Sequence, residues 1–144
     1  MAYSKGHTNS KMHIGDVYMT RFVGTDSEQN GWRPAVVFQN NKGNAYSPNV
    51  IMLPMTSSLK KMSQPTHVVV RARDTGLRFD SMVLCENPEC VSKDRLGAYI
   101  TTLPLSYMKE IAAASLIATA AISFLDMDAL QSAWEKASEL NACA

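Results

Sequence analysis

Short apolar runs separated by turn-forming residues dominate the first hundred positions of the chain. These runs occupy positions 15–19, 35–39, 50–55, 67–73 and 80–85. In the fourth run Val68 and Val70 alternate with Val69, which is the two-residue period of a half-buried strand. Pro54 within the third run suggests a strand edge or a bulge, because proline cannot donate to a ladder. The pattern therefore predicts five short strands.

After residue 100 the spacing changes to that of helices. Ser106 and Asp126 can each cap a helix through a side-chain oxygen. Apolar residues then recur every three or four positions: Ile111, Leu116, Ile117, Ala120 and Phe124 in the first segment, and Leu130, Ala133, Trp134, Ala137 and Leu140 in the second. Strands followed by helices predict an α+β domain, with the strands in a small antiparallel barrel or curled sheet.

The length of the chain limits the number of domains that it can form. A chain of 144 residues with 46% hydrophobic residues can bury one core. We expect a flexible N-terminus over 1–12 and a single domain over 13–144, with a helical extension from about residue 105. The longest uncharged stretch, 111–125, is too short for a membrane span, which needs roughly 20 residues. The polar N-terminus is unlike a secretion signal.

Charge and cysteine content narrow the function classes. The formal net charge is +1, so the chain lacks the strongly basic balance of most nucleic-acid binders, although basic residues gather between 60 and 78. Cys85 and Cys90 do not have the spacing of a metal or redox motif, and the three histidines complete no zinc pattern with them. We expect free thiols in a reducing cytoplasm, with no metal and no cofactor.

Two polar positions beside apolar runs could carry chemistry. Arg33 lies between Gly31 and Pro34, so a glycine loop and a rigid strand start would hold its guanidinium, which can grip a phosphate. Thr56 follows the third apolar run and could donate a hydrogen bond to a phosphate oxygen. Each has an ordinary alternative: a surface arginine paired with an acid, and a threonine that starts a turn.

The order of several polar blocks resembles the MazF/PemK family of toxin ribonucleases over about residues 14–100. The blocks are Gly15-Asp16-Val17, Glu28-Gln29, Gly31, Arg33-Pro34, Gln39-Asn40, Gly43-Asn44, Ser47-Pro48, Thr56-Ser57, Pro65-Thr66-His67-Val68, Asp80-Ser81, Glu86, Lys93 and Arg95-Leu96. Each block is weak alone, but their joint order is specific.

The resemblance implies an SH3-like or PemK-like barrel, usually a homodimer, that cleaves single-stranded RNA at short motifs without metal. It also implies inhibition by a MazE-like antitoxin whose tail crosses the RNA groove. Arg33 and Thr56 match the catalytic pair of the family. The positions that match RNA contacts are Glu28, Gln29, Asn40, Ser57 and Glu86.

The chemistry of RNA fits this pair. The 2′-hydroxyl beside each phosphate is an internal nucleophile, so we expect a 2′,3′-cyclic phosphate and a 5′-hydroxyl as products. Arg33 suits charge stabilisation, since its pKa is too high for a base. The first proton acceptor stays open between His67 and Glu28. The acidic RNA contacts would read bases, because carboxylates accept hydrogen bonds from exocyclic amines.

Two features leave an alternative open. The family commonly has an arginine and an aspartate where this chain has Glu89 and Ser92, and the tail after about Phe124 extends beyond the usual family end. The alternative is a non-catalytic toxin or binding module of the same fold that poisons a protein target such as DNA gyrase. The presence of both Arg33 and Thr56 favours the nuclease.

Overall fold

The computed structural model describes residues 11–23 and 31–141. These residues form seven strands: β1 (Asp16–Phe22), β2 (Gly31–Val37), β3 (Asn49–Thr56), β4 (His67–Val70), β5 (Ser81–Leu84), β6 (Glu89–Ser92) and β7 (Leu96–Thr102). They also form four α-helices: α1 (Asn41–Tyr46), α2 (Ala72–Thr75), α3 (Leu105–Ala118) and α4 (Met127–Asn141). Short 3₁₀ helices occupy Lys93–Arg95 and Ala121–Phe124.

The strands form one antiparallel sheet in the order β4-β5-β3-β2-β1-β7, with β6 paired to β3. The predicted α+β class with C-terminal helices is confirmed. Within the described residues β4 and β7 are not paired with each other, so the sheet is open and the word barrel describes it only loosely. The five predicted strands correspond to β1–β5, whereas β6 and β7 were not predicted.

Pro54 does not mark an edge strand, because β3 is paired on both sides. On one side β3 pairs with β2, where Pro54 lies opposite Ala35. On the other side β6 pairs with residues 49–52 of β3 and β5 pairs with Met55 and Thr56. Pro54 lies where one neighbour has ended and the next has not begun, which is a place where a missing N–H is tolerated.

The sheet buries side chains on both faces. On one face α3 places Ile111 and Ala114 against a cluster that includes Val36 and Leu53. We call this the helix face. The opposite face carries a second cluster: Tyr18, Phe22, Ala35, Val37, Val50, Met52 and Val91. We call it the site face. Because β2 and β3 are apolar toward both faces, they are the centre of the fold.

The helix predictions were partly right. Asp126 caps α4 as predicted, since its Oδ1 accepts a hydrogen bond from the backbone N–H of Ala129 at 2.8 Å. Ser106 is not a cap, because α3 begins at Leu105 after Pro104. The turn predicted at 40–44 is part of the short helix α1.

The predicted flexibility of residues 1–12 stays a prediction, because nearly all of that segment lies outside the described residues. The proposed boundaries of a single domain over 13–144 also stay a prediction. None of the helices in the described part of the chain has the length and apolar character required to cross a membrane.

The packing of α3 on the helix face generates a stability prediction. Ile111 is completely buried, whereas Ile117 on the same helix is 49% exposed. Ile111→Ala should lower the free energy of unfolding by about 2–5 kcal/mol, because it leaves a cavity. The matched control Ile117→Ala should cost less than about 1 kcal/mol. Urea denaturation followed by circular dichroism measures both, and equal losses would contradict the packing described.

Candidate active site

The register of β2 and β3 sets Arg33 across from Thr56. Ala35 lies opposite Pro54, and Val37 lies opposite Met52. Continued by two residues, the same antiparallel register puts Arg33 opposite Thr56. Residues directly opposite each other on antiparallel strands share a face, with Cβ atoms roughly 4.5–5.5 Å apart. Arg33 and Thr56 therefore belong to the site face, at its end beyond Ala35.

Arg33 lies within β2 and not in a glycine loop. The strand begins at Gly31, whose φ of 126° is accessible mainly to glycine. Arg33 pairs with Thr20 of β1, whose side chain is fully buried. Pairing with β1 therefore holds the Arg33 backbone on one side, which suits a guanidinium that must hold one position. Trp32 points to the opposite face of β2 and cannot stack a base beside Arg33.

The hydroxyl of Thr56 is oriented by the turn that follows it. The backbone N–H of Ser58 donates to Oγ1 of Thr56 at 3.1 Å. This bond occupies one acceptor site of the oxygen and leaves its O–H to donate elsewhere. Thr56 is half-buried and pairs with Met82 of β5, so its backbone is held on that side too. The two interpretations of Thr56 are therefore compatible: the residue starts a turn, and its hydroxyl can still donate a hydrogen bond.

His67 and Glu86 contact each other on the same face of the sheet. Thr56, Met82 and Val69 lie in one row across β3, β5 and β4, and His67 is two residues before Val69. Nε2 of His67 lies 2.7 Å from Oε1 of Glu86, and Nδ1 lies 2.9 Å from the carbonyl oxygen of Lys61. Both ring nitrogens therefore lie within hydrogen-bond distance of a protein oxygen.

This pair holds the segment between β3 and β4 in place. The Lys61 carbonyl belongs to that segment, and Lys61 has a φ of 56°, which is uncommon for a residue with a side chain. The His67 side chain is only 8% exposed and Glu86 is 35% exposed. Sequence reasoning had named both residues but not their contact, since they are 19 positions apart and nothing local signals the pairing.

The remaining predicted RNA contacts are spread more widely. Ser57 is exposed directly after Thr56, at the site. Asn40 lies beyond the other end of β2, where its Oδ1 caps α1 by accepting from the Gly43 N–H at 2.9 Å. At a strand rise of about 3.3 Å per residue it is roughly 20 Å from Arg33. Glu28 and Gln29 lie outside the described residues. All four roles stay predictions.

Other reactive groups of the described chain lie away from this face. Burial raises the pKa of the Cys85 thiol to about 11, so the thiol is protonated and inert at neutral pH. A shallow depression beside α3 is lined by Asp74, Tyr107 and Glu110, whose acidic character disfavours a phosphate. Among residues 11–23 and 31–141, no group of His, Cys, Asp and Glu could hold a metal ion.

Comparison with known proteins identifies the family. A sequence profile of the PemK-like, MazF-like toxins of type II toxin–antitoxin systems matches residues 13–118. Endoribonuclease EndoA of Bacillus subtilis is 39% identical over 113 residues, which cover 76% of this chain and 96% of that protein. Endoribonuclease MazF of Staphylococcus saprophyticus is 40% identical over 101 residues, which cover 69% of this chain and 84% of that protein.

Solved structures agree on the fold. A mycobacterial endoribonuclease in complex with its cognate antitoxin is 25% identical, with a TM-score of 0.63, covering 76% of this chain and 95% of that one. MazF from Deinococcus radiodurans superposes with a TM-score of 0.64 at 20% identity, covering 76% of this chain and 96% of that one. The profile ends with α3, so α4 lies beyond it. The chain belongs to the PemK-like, MazF-like family of type II toxin–antitoxin toxins.

Proposed function

We propose that this chain is a toxin endoribonuclease that cleaves single-stranded RNA at short sequence motifs without a metal ion. The observation that supports the proposal is the β2–β3 register, which, continued by two residues beyond Ala35 and Pro54, brings Arg33 and Thr56 opposite each other. Relatives at 39% and 40% identity bear the name endoribonuclease, which supports the same reaction class here.

The protein must perform three functions in the reaction. The 2′-oxygen attacks the adjacent phosphorus, the bond from phosphorus to the 5′-oxygen breaks, and the products are a 2′,3′-cyclic phosphate and a 5′-hydroxyl. One proton leaves the 2′-oxygen and one reaches the 5′-oxygen, so no external water or metal-bound hydroxide is consumed. The protein must therefore orient the phosphate, stabilise its growing negative charge and move two protons.

Arg33 stabilises the charge. A guanidinium stays protonated at any physiological pH and presents several N–H donors in a plane, which matches two oxygens of one phosphate. Its backbone is paired with Thr20 of β1, so little reorganisation is needed as the charge develops. Thr56 donates its O–H to a non-bridging oxygen of the same phosphate, with the Ser58 N–H holding the hydroxyl oxygen from behind.

His67 acts as a positioning residue. Both of its ring nitrogens make hydrogen bonds within the protein, to the Lys61 carbonyl oxygen and to the Glu86 carboxylate. It holds the segment 57–66, which begins directly after Thr56, and it orients the Glu86 carboxylate. The second oxygen of that carboxylate can accept from a base amine. We assign the acceptance of the first proton to Glu28, the other candidate that the sequence offers.

We extend two further family properties to this chain as part of the proposal. A cognate, MazE-like antitoxin would neutralise it, as the mycobacterial relative solved with its cognate antitoxin suggests. Two copies would form a homodimer, and the toxin would act on mRNA in the cytoplasm. The domain is proposed to begin at about residue 13, where the family profile begins.

The first prediction concerns Arg33. Purified protein should cut a long mixed-sequence RNA in the presence of EDTA, and Arg33→Ala should reduce the rate by at least 10²–10³-fold because the charge stabilisation is lost. Arg21→Ala is the matched control, since Arg21 is exposed on the neighbouring strand and points to the opposite face. Sequencing the 5′ ends of the fragments measures cleavage and the motif together.

If the wild-type protein leaves that RNA whole, the nuclease proposal fails and a non-catalytic toxin of the same fold replaces it. If cleavage occurs but Arg33→Ala and Arg21→Ala lose the same small factor, the reaction class survives and the assignment of Arg33 fails.

The second prediction distinguishes the contribution of the Thr56 hydroxyl from that of the shape of its side chain. Thr56→Val keeps the branched side chain but removes the O–H, and kcat should fall about 10- to 100-fold. Thr56→Ser keeps the O–H and should retain most of the activity. Single-turnover cleavage of a substrate that contains the identified motif measures both, and equal activity of the two variants would remove Thr56 from the chemistry.

The third prediction uses pH to test the role of His67. His67→Ala should lower kcat by about 10-fold through disorder of the segment 57–66, while the shape of the pH–rate profile stays the same. A general base would cost 10²–10⁴-fold and would remove one limb of that profile. Loss of a limb in the variant would show that His67 itself takes a proton.

A further inference from the structure

Positive charge is concentrated in one stretch of the chain that the proposed reaction does not use. Residues 60–80 contain five Lys and Arg residues against two Asp residues, whereas the rest of the chain has nine Lys and Arg residues against eleven Asp and Glu residues. The net charge of +1 therefore conceals a basic segment in an otherwise slightly acidic chain. A local excess of this kind is what attracts a polyanion.

The sheet brings Arg71 of this segment to the face that carries Thr56. Met82 lies opposite Thr56 on one side and opposite Val69 on the other, so these three residues form one row. Arg71 follows Val69 by two residues, and its backbone is still extended, with φ of −88° and ψ of 138°. Because side chains two residues apart on an extended strand share a face, Arg71 belongs to the site face.

An aspartate orients the Arg71 guanidinium. Nη1 of Arg71 donates to Oδ2 of Asp80 at 3.2 Å, and Oδ1 of Asp80 accepts from the backbone N–H of Ala72 at 2.8 Å. These hydrogen bonds, that of Ala72 first, lower the pKa of the Asp80 carboxyl, so the pair stays charged at neutral pH. The contact uses one of the five N–H donors of the guanidinium, and the Arg71 side chain is 45% exposed. The guanidinium therefore keeps donors for a second anion.

Two lysines lie on the segment that joins Thr56 to β4. Lys60 and Lys61 are both exposed. The carbonyl oxygen of Lys61 lies 2.9 Å from Nδ1 of His67, whose side chain belongs to the site face, so this part of the segment lies over that face. We define Lys60, Lys61 and Arg71 as the basic surface.

We propose that the basic surface binds phosphates of the RNA strand on one side of the scissile phosphate. This proposal rests on the proposed nuclease function. Two strand spacings of about 4.8 Å and two residues of about 3.3 Å each separate the Cα atoms of Thr56 and Arg71 by roughly 12 Å. Every nucleotide of RNA carries a phosphate, so a strand whose scissile phosphate lies beside Thr56 brings a phosphate one or two nucleotides further on to Arg71.

The side chains of the basic surface suit the RNA backbone. A guanidinium matches two oxygens of one phosphate, and the ammonium group of lysine binds a phosphate as a point charge. Such contacts position the strand and carry no sequence information. The basic surface should therefore raise the affinity for every RNA sequence, whereas the motif is read elsewhere in the site.

The first test measures binding without cleavage. A mixed-sequence single-stranded RNA with 2′-O-methyl groups cannot be cut, because its nucleophile is blocked, and fluorescence anisotropy at several salt concentrations gives its Kd. Arg71→Gln should raise the Kd roughly 3- to 10-fold and reduce the slope of log Kd against log salt by about 0.7, the value for one phosphate contact on a single strand. Arg71→Lys keeps the charge and should keep the slope. Arg21→Gln, on the opposite face of β1, is the matched control and should change neither quantity.

Equal Kd values and slopes for Arg71→Gln and Arg21→Gln would overturn the proposal. An acidic protein segment that binds the basic surface in place of RNA would give that result. Lys60→Gln should reduce the slope by a similar amount, and it keeps the test decisive should Arg71→Gln fail to fold, because Lys60 lies outside every strand and helix. If the wild-type protein still cuts RNA, the basic surface fails alone and the nuclease function stands.

The second test locates the phosphate that Arg71 binds. In a 2′-O-methyl RNA that contains the identified motif, each phosphate in turn is replaced by an uncharged methylphosphonate. At a position one or two nucleotides from the scissile phosphate, the replacement should weaken the wild-type protein but should not weaken Arg71→Gln further, because the two changes remove the same contact. Coupling at the scissile phosphate itself, or at no position, would overturn the proposal.

Discussion

The pairing of β2 with β3 is the constraint on which the rest of the site depends. Ala35 opposite Pro54 fixes Arg33 opposite Thr56, and a slip of one residue would send one of the two to the other face of the sheet. The core enforces the register. Val36 and Leu53 are buried against α3 on the helix face, while Ala35, Val37 and Met52 are buried on the site face. Apolar packing on both faces therefore fixes the register that brings Arg33 and Thr56 to the same face of the sheet.

The pair formed by His67 and Glu86 extends this logic to the neighbouring strands. Thr56 is held on its second side by β5, and β5 is held by β4, which begins at His67. Nδ1 of His67 contacts the carbonyl oxygen of Lys61, and this contact holds the segment that follows Thr56. Pairing with β5 thus holds Thr56 on one side, and the hydrogen bonds of His67 hold the segment that follows it.

Much of this fold could be predicted from the sequence, because strands that contain apolar runs can be recognised from those runs. The runs that became β1, β3, β4 and β5 are dominated by Val, Ile, Leu and Met. The four-residue β6 and the glycine- and threonine-containing β7 lack such runs, and tertiary pairing alone makes them strands. Arg33 was predicted between a glycine loop and the start of a strand, yet Gly31 and Pro34 both belong to that strand: Gly31 at its start and Pro34 opposite Met19.

Contacts between residues distant in sequence could not be predicted from local sequence patterns. Glu86 was named from the resemblance to the family, but its partner His67 is fixed only once β4 and β5 pair. The apolar spacing of α4 predicted a packed helix, but no residue of α4 is buried, and the helix contacts α1 through Asn41 and Asn141. The helix lies beyond the part of the chain that the family profile matches.

The most direct measurement of the central claim is a double-mutant cycle on cleavage. The single variants Arg33→Lys and Thr56→Val, and the double variant, would be compared by kcat/KM on one RNA substrate. If the two side chains act on the same phosphate, the double variant should lose far less than the product of the two single losses, because groups that act as a unit are not additive. Losses that multiply would show two independent sites and would contradict the geometry on which the account depends.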